Sequence, residues 1–576
     1  MISLLRTYLR PYKRALALVV ALLFVQALAT LYLPELNGEI INKGVATGDI
    51  DFILSTGALM LGVSLVAAVA SIIAVYWGSK TGMAFGRDLR GSIFRKVESF
   101  SQAELNTFGT PSLITRNTND VQQVQMVVLM GLNMMIIAPI LAIGGTIMAL
   151  RQDVPLASIL VVVLPLMALI VGSLLWKALP LFALMQVKVD RINQVTREAL
   201  SGVRVIRAFV RTKHEEERFD VANRDLTATS LRVQRLFALM IPLLTLIFNL
   251  SSVAILWFGS IRVDSGEMPI GNLIAFLQYV SQILFAVMMA VFLFVMVPRA
   301  IVSSGRIQEV LRTESAVRDP EAPVAPPPAT GRVEFRDVEF RYPGAQDPVL
   351  RGITLTIEPG ATTAVVGSTG SGKSTLINLI PRFYDVTAGT LEIDGVDVRS
   401  VRQDDVWAKI GIVPQKAFLF SGTIASNLRF GKADATEEEL WGALRIAQAE
   451  TFVREMAEGL DAPVTQGGTN LSGGQRQRIA IARALVKRPE IYVFDDSFSA
   501  LDMKTDAQLR AALSSEIEDA TVVIVAQRVG TIMGADRIVV LDGGTIVGVG
   551  THQELMATCE TYREIVYSQL SAEEAA

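Results

Sequence analysis

AVVGSTGSGKST, residues 364–375, sets an apolar run suited to a buried strand directly before a glycine-rich turn that ends in a lysine and a hydroxyl. From Gly367 to Ser374 it fits G-x-x-x-x-G-K-[ST] in the strand-to-helix context the pattern requires. Glycines let a backbone wrap an anion with its N–H groups, and the helix that follows adds its positive end. In this reading Gly367, Ser368, Thr369, Gly370, Ser371 and Gly372 form a phosphate cradle. Lys373 neutralises the β- and γ-phosphates, and Ser374, followed by Thr375, offers a hydroxyl to Mg2+.

Working outward, IYVFDD at 491–496 ends a buried strand in Asp495, the acidic side chain expected near that Mg2+. From 331 onward, short β-rich runs (TAVVG, IYVFDD, TVVIVAQ) alternate with helical stretches, the pattern of a mainly parallel α/β sheet. The phosphate loop and the acidic strand end together make a nucleotide site. They do not say what its energy drives.

Upstream the character changes. Pro320, Pro323, Pro326, Pro327 and Pro328 suit an extended linker over 316–330, which separates an apolar half, 1–315, from the α/β half, 331–576. Of the 576 residues 51% are hydrophobic and 19% charged, against about 25% charged in ordinary globular chains. Mean hydropathy is +0.42. Six stretches approach the ~20 apolar residues that cross a bilayer, at 15–33, 53–77, 127–150, 155–176, 236–258 and 273–297, with no Lys, Arg, Asp or Glu in their interiors. Basic residues crowd the N-terminus and the connections after the second and fourth spans, while the other connections hold only Lys43, Arg151 and Arg262. Both termini are therefore expected in the cytoplasm. The start imitates a secretory signal, with Ala27-Leu28-Ala29 as a cleavage site, but its apolar run continues to Leu33 and is read as a span. The long connections, about 78–126 and 177–235, mix apolar and charged residues at helical spacing and are expected to prolong the spans as helices, with a break near Gly109-Thr110-Pro111.

Net charge is −3, from 53 Lys+Arg against 56 Asp+Glu, which gives nucleic acid no electrostatic footing as a partner. The lone cysteine, Cys559, excludes an internal disulfide.

LSGGQRQRIAIARAL, from Leu471, names a family: the chain resembles the ATP-binding cassette (ABC) transporters, whose signature is LSGGQ. LIPRFYDVTAGTLEIDGVDVR and IGIVPQKAFLFSGTIASNL look like exporter-type cassettes, and FGTPSLITRNTNDV and EALSGVRVIRAFVRTKHEEERF like the cytoplasmic extensions of six-span exporters. The resemblance implies an all-α six-span transmembrane domain fused to an α/β P-loop nucleotide-binding domain. It implies ATP and Mg2+ as cofactors, a bacterial cytoplasmic membrane, and a second half-transporter as partner. Tyr342 would stack on adenine, and Gln415 would reach Mg2+ alongside Ser374 and Asp495. Leu471, Ser472, Gly473, Gly474 and Gln475 would clamp ATP held by the opposite cassette, with Asp502 at the same interface. Segments near 104–111 and 209–213 would be the coupling helices that dock on the cassettes.

Two positions depart from the pattern. Asp496 stands where active members place a glutamate as general base, and its carboxylate stops about 1.5 Å short. Gln527 stands where the family has a switch histidine, and an amide does not become a cation at neutral pH. His214 and His552 are no substitutes: the first lies in a cytoplasmic extension, and the second sits in Thr551-His552-Gln553-Glu554, which reads as a capping box. Both losses fall in this chain's own site, while its signature is intact. The expectation is an asymmetric heterodimer with a slow site here. A homodimer with two slow sites, an importer on the exporter fold and an ATP-gated channel stay open. The six spans exclude a soluble DNA-repair ATPase. Gln26, Asn133, Asn249 and Gln278 are the main polar residues in the spans, and methionines gather in the third and sixth. An amphipathic or hydrophobic drug, lipid or peptide is the substrate class expected.

Overall fold

The computed structural model describes residues 1–326, 328 and 330–570, with the side chains of 294 and 295 left aside. Pro327 and Ala329 of the linker and residues 571–576 lie outside that description. Internal contacts divide the chain into two units, Met1–Lys96 with Pro111–Arg312, and Val97–Thr110 with Thr313–Ala576.

The helices of the apolar half are α1 (Ile2–Leu9), α2 (Lys13–Glu39), α3 (Ile50–Glu98), α4 (Gln102–Phe108), α5 (Thr110–Thr115), α6 (Val121–Gln152), α7 (Val154–Ser201), α8 (Val203–Ala208), α9 (Thr212–Asp264) and α10 (Ile270–Arg312). Among the described residues six stretches are long and apolar enough to cross a membrane, and each contains one expected span. The 49 residues of α3 reach about 70 Å at 1.5 Å per residue, more than twice a ~30 Å hydrocarbon core. The spans do continue as helices, as their spacing suggests. The expected break falls at Gly109, whose φ of 71° ends α4.

The second coupling segment needs correction. Positions 209–213 are not a helix of their own: α8 ends at Ala208, Phe209 and Val210 form a turn, and α9 starts at Thr212. Val210 has φ 54°, strained for a β-branched residue. Amphipathic spacing runs through the whole stretch and does not reveal where the backbone reverses.

Within the first unit α10 packs along α6 and α2, and α7 pairs with α9. Close approach depends on small residues, because a side chain on Gly271 would collide with the Gly38 carbonyl and Asn42. There the Gly271 amide donates to Asn42 Oδ1 (2.7 Å), and Asn42 Nδ2 to Asn272 Oδ1 (2.8 Å).

The second unit is built on β1 (Val333–Phe340), β2 (Leu350–Ile357), β3 (Thr362–Gly367), α11 (Lys373–Leu379), β4 (Ala388–Ile393), β5 (Val396–Asp397), α12 (Gln403–Lys409), β6 (Ile410–Val413), β7 (Gly422–Thr423), α13 (Ile424–Arg429), α14 (Glu437–Ile446), α15 (Glu450–Glu455), β8 (Pro463–Val464), α16 (Gly473–Lys487), β9 (Ile491–Asp495), α17 (Met503–Glu516), β10 (Thr521–Val525), α18 (Val529–Ile532), β11 (Arg537–Asp542), β12 (Thr545–Gly550), α19 (His552–Thr558) and α20 (Glu560–Tyr567). Its main sheet runs β12-β11-β3-β10-β9-β6, parallel except at β12, and a second, antiparallel sheet runs β2-β1-β4-β5. The linker is pinned to this unit rather than hanging free. Arg382, almost fully buried, donates to the Arg318 carbonyl, and the Val324 amide donates to the Ser400 carbonyl (2.9 Å).

Candidate nucleotide site

Strands β3, β10, β9 and β6 are neighbours and parallel, so their C-terminal ends open on one edge. That edge is where α/β sheets bind ligands. It gathers the phosphate loop after β3, Asp495 and Asp496 at the end of β9, Gln527 after β10 and Gln415 after β6. Residues far apart in sequence become neighbours through strand order alone.

The phosphate loop turns at Gly370 and Gly372, with φ of 85° and 100°, a region only glycine enters freely. Lys373 lies across its own loop and donates to the carbonyls of Gly367 (2.8 Å) and Ser368 (2.7 Å). Burial draws the Lys373 pKa down, while Asp496 and Asp495 pull it back up. Ser374 Oγ donates to Asp495 Oδ1 at 3.4 Å. Burial pushes the Asp495 pKa up, the Ser374 hydroxyl opposes that, and the neighbouring Asp496 charge adds to it. A hydroxyl and a carboxylate side by side are hard oxygen donors of the kind Mg2+ takes beside phosphates, so this donor set fits the cation. Ser371 is buried, and its hydroxyl has no hydrogen-bond partner among the described residues. Tyr342 shares a hydrogen bond with Thr375 Oγ1 (3.0 Å) and packs edge-on against Tyr384, ring centroids 5.3 Å apart.

Asp496 is the hub of the cleft. It is buried, has φ 46°, and its amide donates to the Val525 carbonyl of β10 (2.8 Å). Its Oδ2 accepts two amide hydrogens, from Gln415 Nε2 at 3.1 Å and Gln527 Nε2 at 2.9 Å. Both donors are themselves exposed. One carboxylate oxygen is thus held by the two residues expected at the Mg2+ and switch positions.

The signature residues stand elsewhere in the cassette, at the start of α16. Leu471 is buried, while Ser472 and Gly473 are exposed. Ser472 and Gln475 close a capping box: the Ser472 amide donates to Gln475 Oε1 (2.9 Å), and the Gln475 amide to Ser472 Oγ (3.2 Å). Gly474, inside the first turn, is half-buried. Asp502 caps α17 by accepting from the Thr505 amide (3.0 Å), which lowers its pKa. The capping box at Thr551 and Glu554 is present, and His552 Nδ1 meets Tyr562 Oη at 2.8 Å.

Sequence reasoning missed four contributors. Tyr384 Oη accepts from Asn106 Nδ2 of α4 (3.1 Å), so a residue packed on Tyr342 also touches α4. Glu104, buried in α4, accepts from the Ser101 amide (2.9 Å) and the Ala316 amide (3.1 Å). Gln569 brackets the switch loop, donating to the Gln527 carbonyl (2.7 Å) and accepting from the Val529 amide (2.9 Å). For Tyr384 the signal was in RFYDV beside the phosphate loop. For Glu104 the signal was the Ser101-x-x-Glu104 capping-box spacing, whereas Asn106 and Gln569 carry none, because each acts through partners distant in sequence.

Residues 16–288 match the ABC transporter transmembrane region, and residues 350–499 match the ABC transporter domain. The chain is 49% identical over 573 residues, 99% of its length and 98% of the relative's, to a protein of Mycobacterium tuberculosis described as an uncharacterized ABC transporter ATP-binding protein. It is 32% identical over 575 residues, 98% and 97% of the two lengths, to the ATP-dependent lipid A-core flippase of Thiobacillus denitrificans. Its fold follows the solved structure of a bacterial Atm1-family ABC exporter with ATP bound, with a TM-score of 0.81 at 23% identity over 98% of this chain and 99% of that one. A six-span apolar half, a phosphate loop at the mouth of a parallel sheet and these full-length likenesses agree: the chain belongs to the ABC transporters, a membrane protein whose ATP-binding cassette is fused to its transmembrane region.

Proposed function

We propose that this chain is one half of an ATP-driven exporter that works by alternating access, paired with a second, different half-transporter. Its own phosphate loop, Asp495, Asp496, Gln415 and Gln527 form a slow ATP site. Its signature, Leu471 to Gln475, completes the partner's hydrolytic site across a head-to-tail cassette pair.

The observation that carries this reading is the state of Asp496. A general base must offer a lone pair to the proton it takes, at hydrogen-bond distance. Asp496 is already the shorter acid, and its Oδ2 is occupied by two amide donors. Neither glutamine can replace an imidazole as a cation beside developing phosphate charge. Lys373 and the loop amides hold the phosphates, and Tyr342 offers its ring to adenine. Ser374, Asp495 and Gln415 would hold Mg2+, which neutralises phosphate charge when bound. The site is built to bind more than to cleave.

Docking elements complete the scheme. Helix α4 joins the cassette unit through Asn106, Ala103 and Glu104. The exposed Phe209 and Val210 turn offers an apolar tip to a partner cassette. The lipid A-core flippase relative supports an amphipathic, lipid-like or hydrophobic substrate, and the exporter-type fold supports outward transport. The test is affinity purification of the tagged chain from its native membrane. A stoichiometric second half-transporter, carrying Glu after its Walker B Asp, is the expected result. Recovery of this chain alone would point to a homodimer with two slow sites.

A further inference from the structure

Between Met1 and Glu35 the chain has no Asp or Glu, and its charged side chains there are Arg6, Arg10, Lys13 and Arg14. The fold decides how they are presented. Leu4, Tyr8 and Tyr12 recur every four residues along α1 and the short turn after it, a spacing that shares one face. Leu4 is buried, the Tyr8 ring meets Phe85 of α3 edge-on with centroids 6.3 Å apart, and Tyr12 Oη donates to Asp88 Oδ2 of α3 at 2.6 Å. That face is therefore pinned to α3. Arg6, Arg10 and Arg14 follow at the same spacing two residues later, about 200° round an ideal helix, and form a stripe on the opposite side. All three, and Lys13 beside them, are exposed, and none forms an ion pair among the described residues. Asp88, the carboxylate at the docking contact, is already taken by Tyr12 and by Arg87, whose Nε donates to Oδ1 at 2.8 Å. Ile2, Leu5 and Leu9 make an apolar edge beside the stripe, and Ile2 is 80% exposed.

Like charges one turn apart on a helix repel, and no acidic neighbour offsets them here. An anion lying along the stripe would. We propose that this stripe binds the phosphate of an anionic glycerophospholipid in the cytoplasmic leaflet. Arg6, Arg10 and Arg14 take the headgroup, and Ile2, Leu5 and Leu9 meet the first part of the acyl chains. A guanidinium suits the task because its planar fork meets two phosphate oxygens at once. The position suits it too, since Arg14 directly precedes the first expected span, at the end that the basic residues assign to the cytoplasm. Charge that only orients a span can lie anywhere around the helix. Charge aligned on one side of a docked helix, next to an exposed apolar edge, matches an amphiphile with an anionic head. The inference goes beyond the exporter reading and needs neither ATP nor cargo.

The test uses the transporter isolated from its membrane in neutral detergent, without ATP. Its probes are phosphatidylglycerol and phosphatidylcholine carrying the same acyl-chain fluorophore, with binding read by anisotropy. Phosphatidylglycerol should bind on the order of a hundredfold more tightly, about fivefold for each of the three arginines. Arg6→Gln, Arg10→Gln and Arg14→Gln should each reduce the preference about fivefold, and the triple variant should remove most of it. Phosphatidylcholine affinity should stay unchanged, which also shows that the variants are folded. Arg232→Gln with Arg235→Gln is the control: both are exposed cations just before the fifth expected span, outside the stripe, and their loss should change the preference less than about twofold. Equal affinities for the two lipids, or a preference that survives the triple variant, would overturn the proposal. A loss in the control as large as in the stripe would overturn it in favour of diffuse surface charge. Inorganic phosphate that competes better than chloride at equal ionic strength would overturn the lipid in favour of a soluble anion. None of these failures touches the exporter reading, which is tested by co-purification.

Discussion

Two parts of one cassette contrast. Leu471 to Gln475 keep the full signature, with Ser472 and Gly473 exposed at the start of a 15-residue helix. The cleft around Asp496 holds an aspartate and, at Gln527, a glutamine where the family pattern leads one to expect a glutamate and a histidine, and the Asp496 carboxylate is tied to Gln415 and Gln527. In the head-to-tail pair proposed above, these two regions would serve different ATP molecules. On that proposal a chain can lose the chemistry of its own cleft and still be indispensable to its partner's. The contrast makes asymmetric predictions, because equal injuries to the two regions should have unequal effects.

The largest effect is expected at the signature. Ser472→Arg removes the helix cap and places a bulky side chain where a partner-held phosphate would approach. ATPase turnover of the assembled transporter should fall about 10²-fold or more, the scale of losing a preorganised phosphate contact. Near-normal turnover would break the comparison at its stronger end. Lys373→Met injures the other region. It deletes the cation of this chain's phosphate loop, so labelled nucleotide should bind this chain about tenfold more weakly. Turnover should fall less than it does for Ser472→Arg. If the two losses are equal, the cleft here is hydrolysing ATP.

How much of this was legible in sequence depends on the distance between partners. The phosphate loop was readable because strand, glycine turn, lysine and hydroxyl are contiguous, and the spans because hydropathy accumulates over about twenty residues. Asp496 and Gln527 could be flagged by type. Their convergence on one oxygen could not, since it needs the order β3-β10-β9-β6 to bring together residues 81 and 31 positions apart. Gln282 was hidden for a similar reason. Gln26 and Gln278 stand out as polar residues in apolar runs, but only the fold shows that Gln282 answers a carbonyl released by a proline on another helix. The second coupling segment was misplaced because helical spacing does not register a turn such as the one at Val210.

Asp496→Glu sharpens the comparison from the side of gain. Restoring the methylene brings the carboxylate nearer an attacking water but leaves Gln527 in the switch position. Turnover of the assembled transporter should change less than about threefold, because one well-placed base contributes 10²–10⁴ only where the rest of the machinery is present. The isolated chain should remain slow. If this single change gives the isolated chain the activity of a competent homodimer, the asymmetric reading is sunk.

The smallest effect is expected at Gln569, and it discriminates for that reason. Its amide spans the switch loop, holding the Gln527 carbonyl on one side of Arg528 and the Val529 amide on the other. Gln569→Ala removes both contacts and leaves a part-buried amide without its acceptor, a local cost of about 1–3 kcal/mol. Amide exchange at Val529 should accelerate roughly tenfold or more as the loop opens. Steady-state ATPase should shift less than twofold if Gln527 only helps to hold nucleotide, because the rate is then set at the partner's site. A loss approaching that of Ser472→Arg, with the fold intact, would mean that Gln527 acts in every turnover. The contrast between a working signature and an idle cleft would then have to be given up.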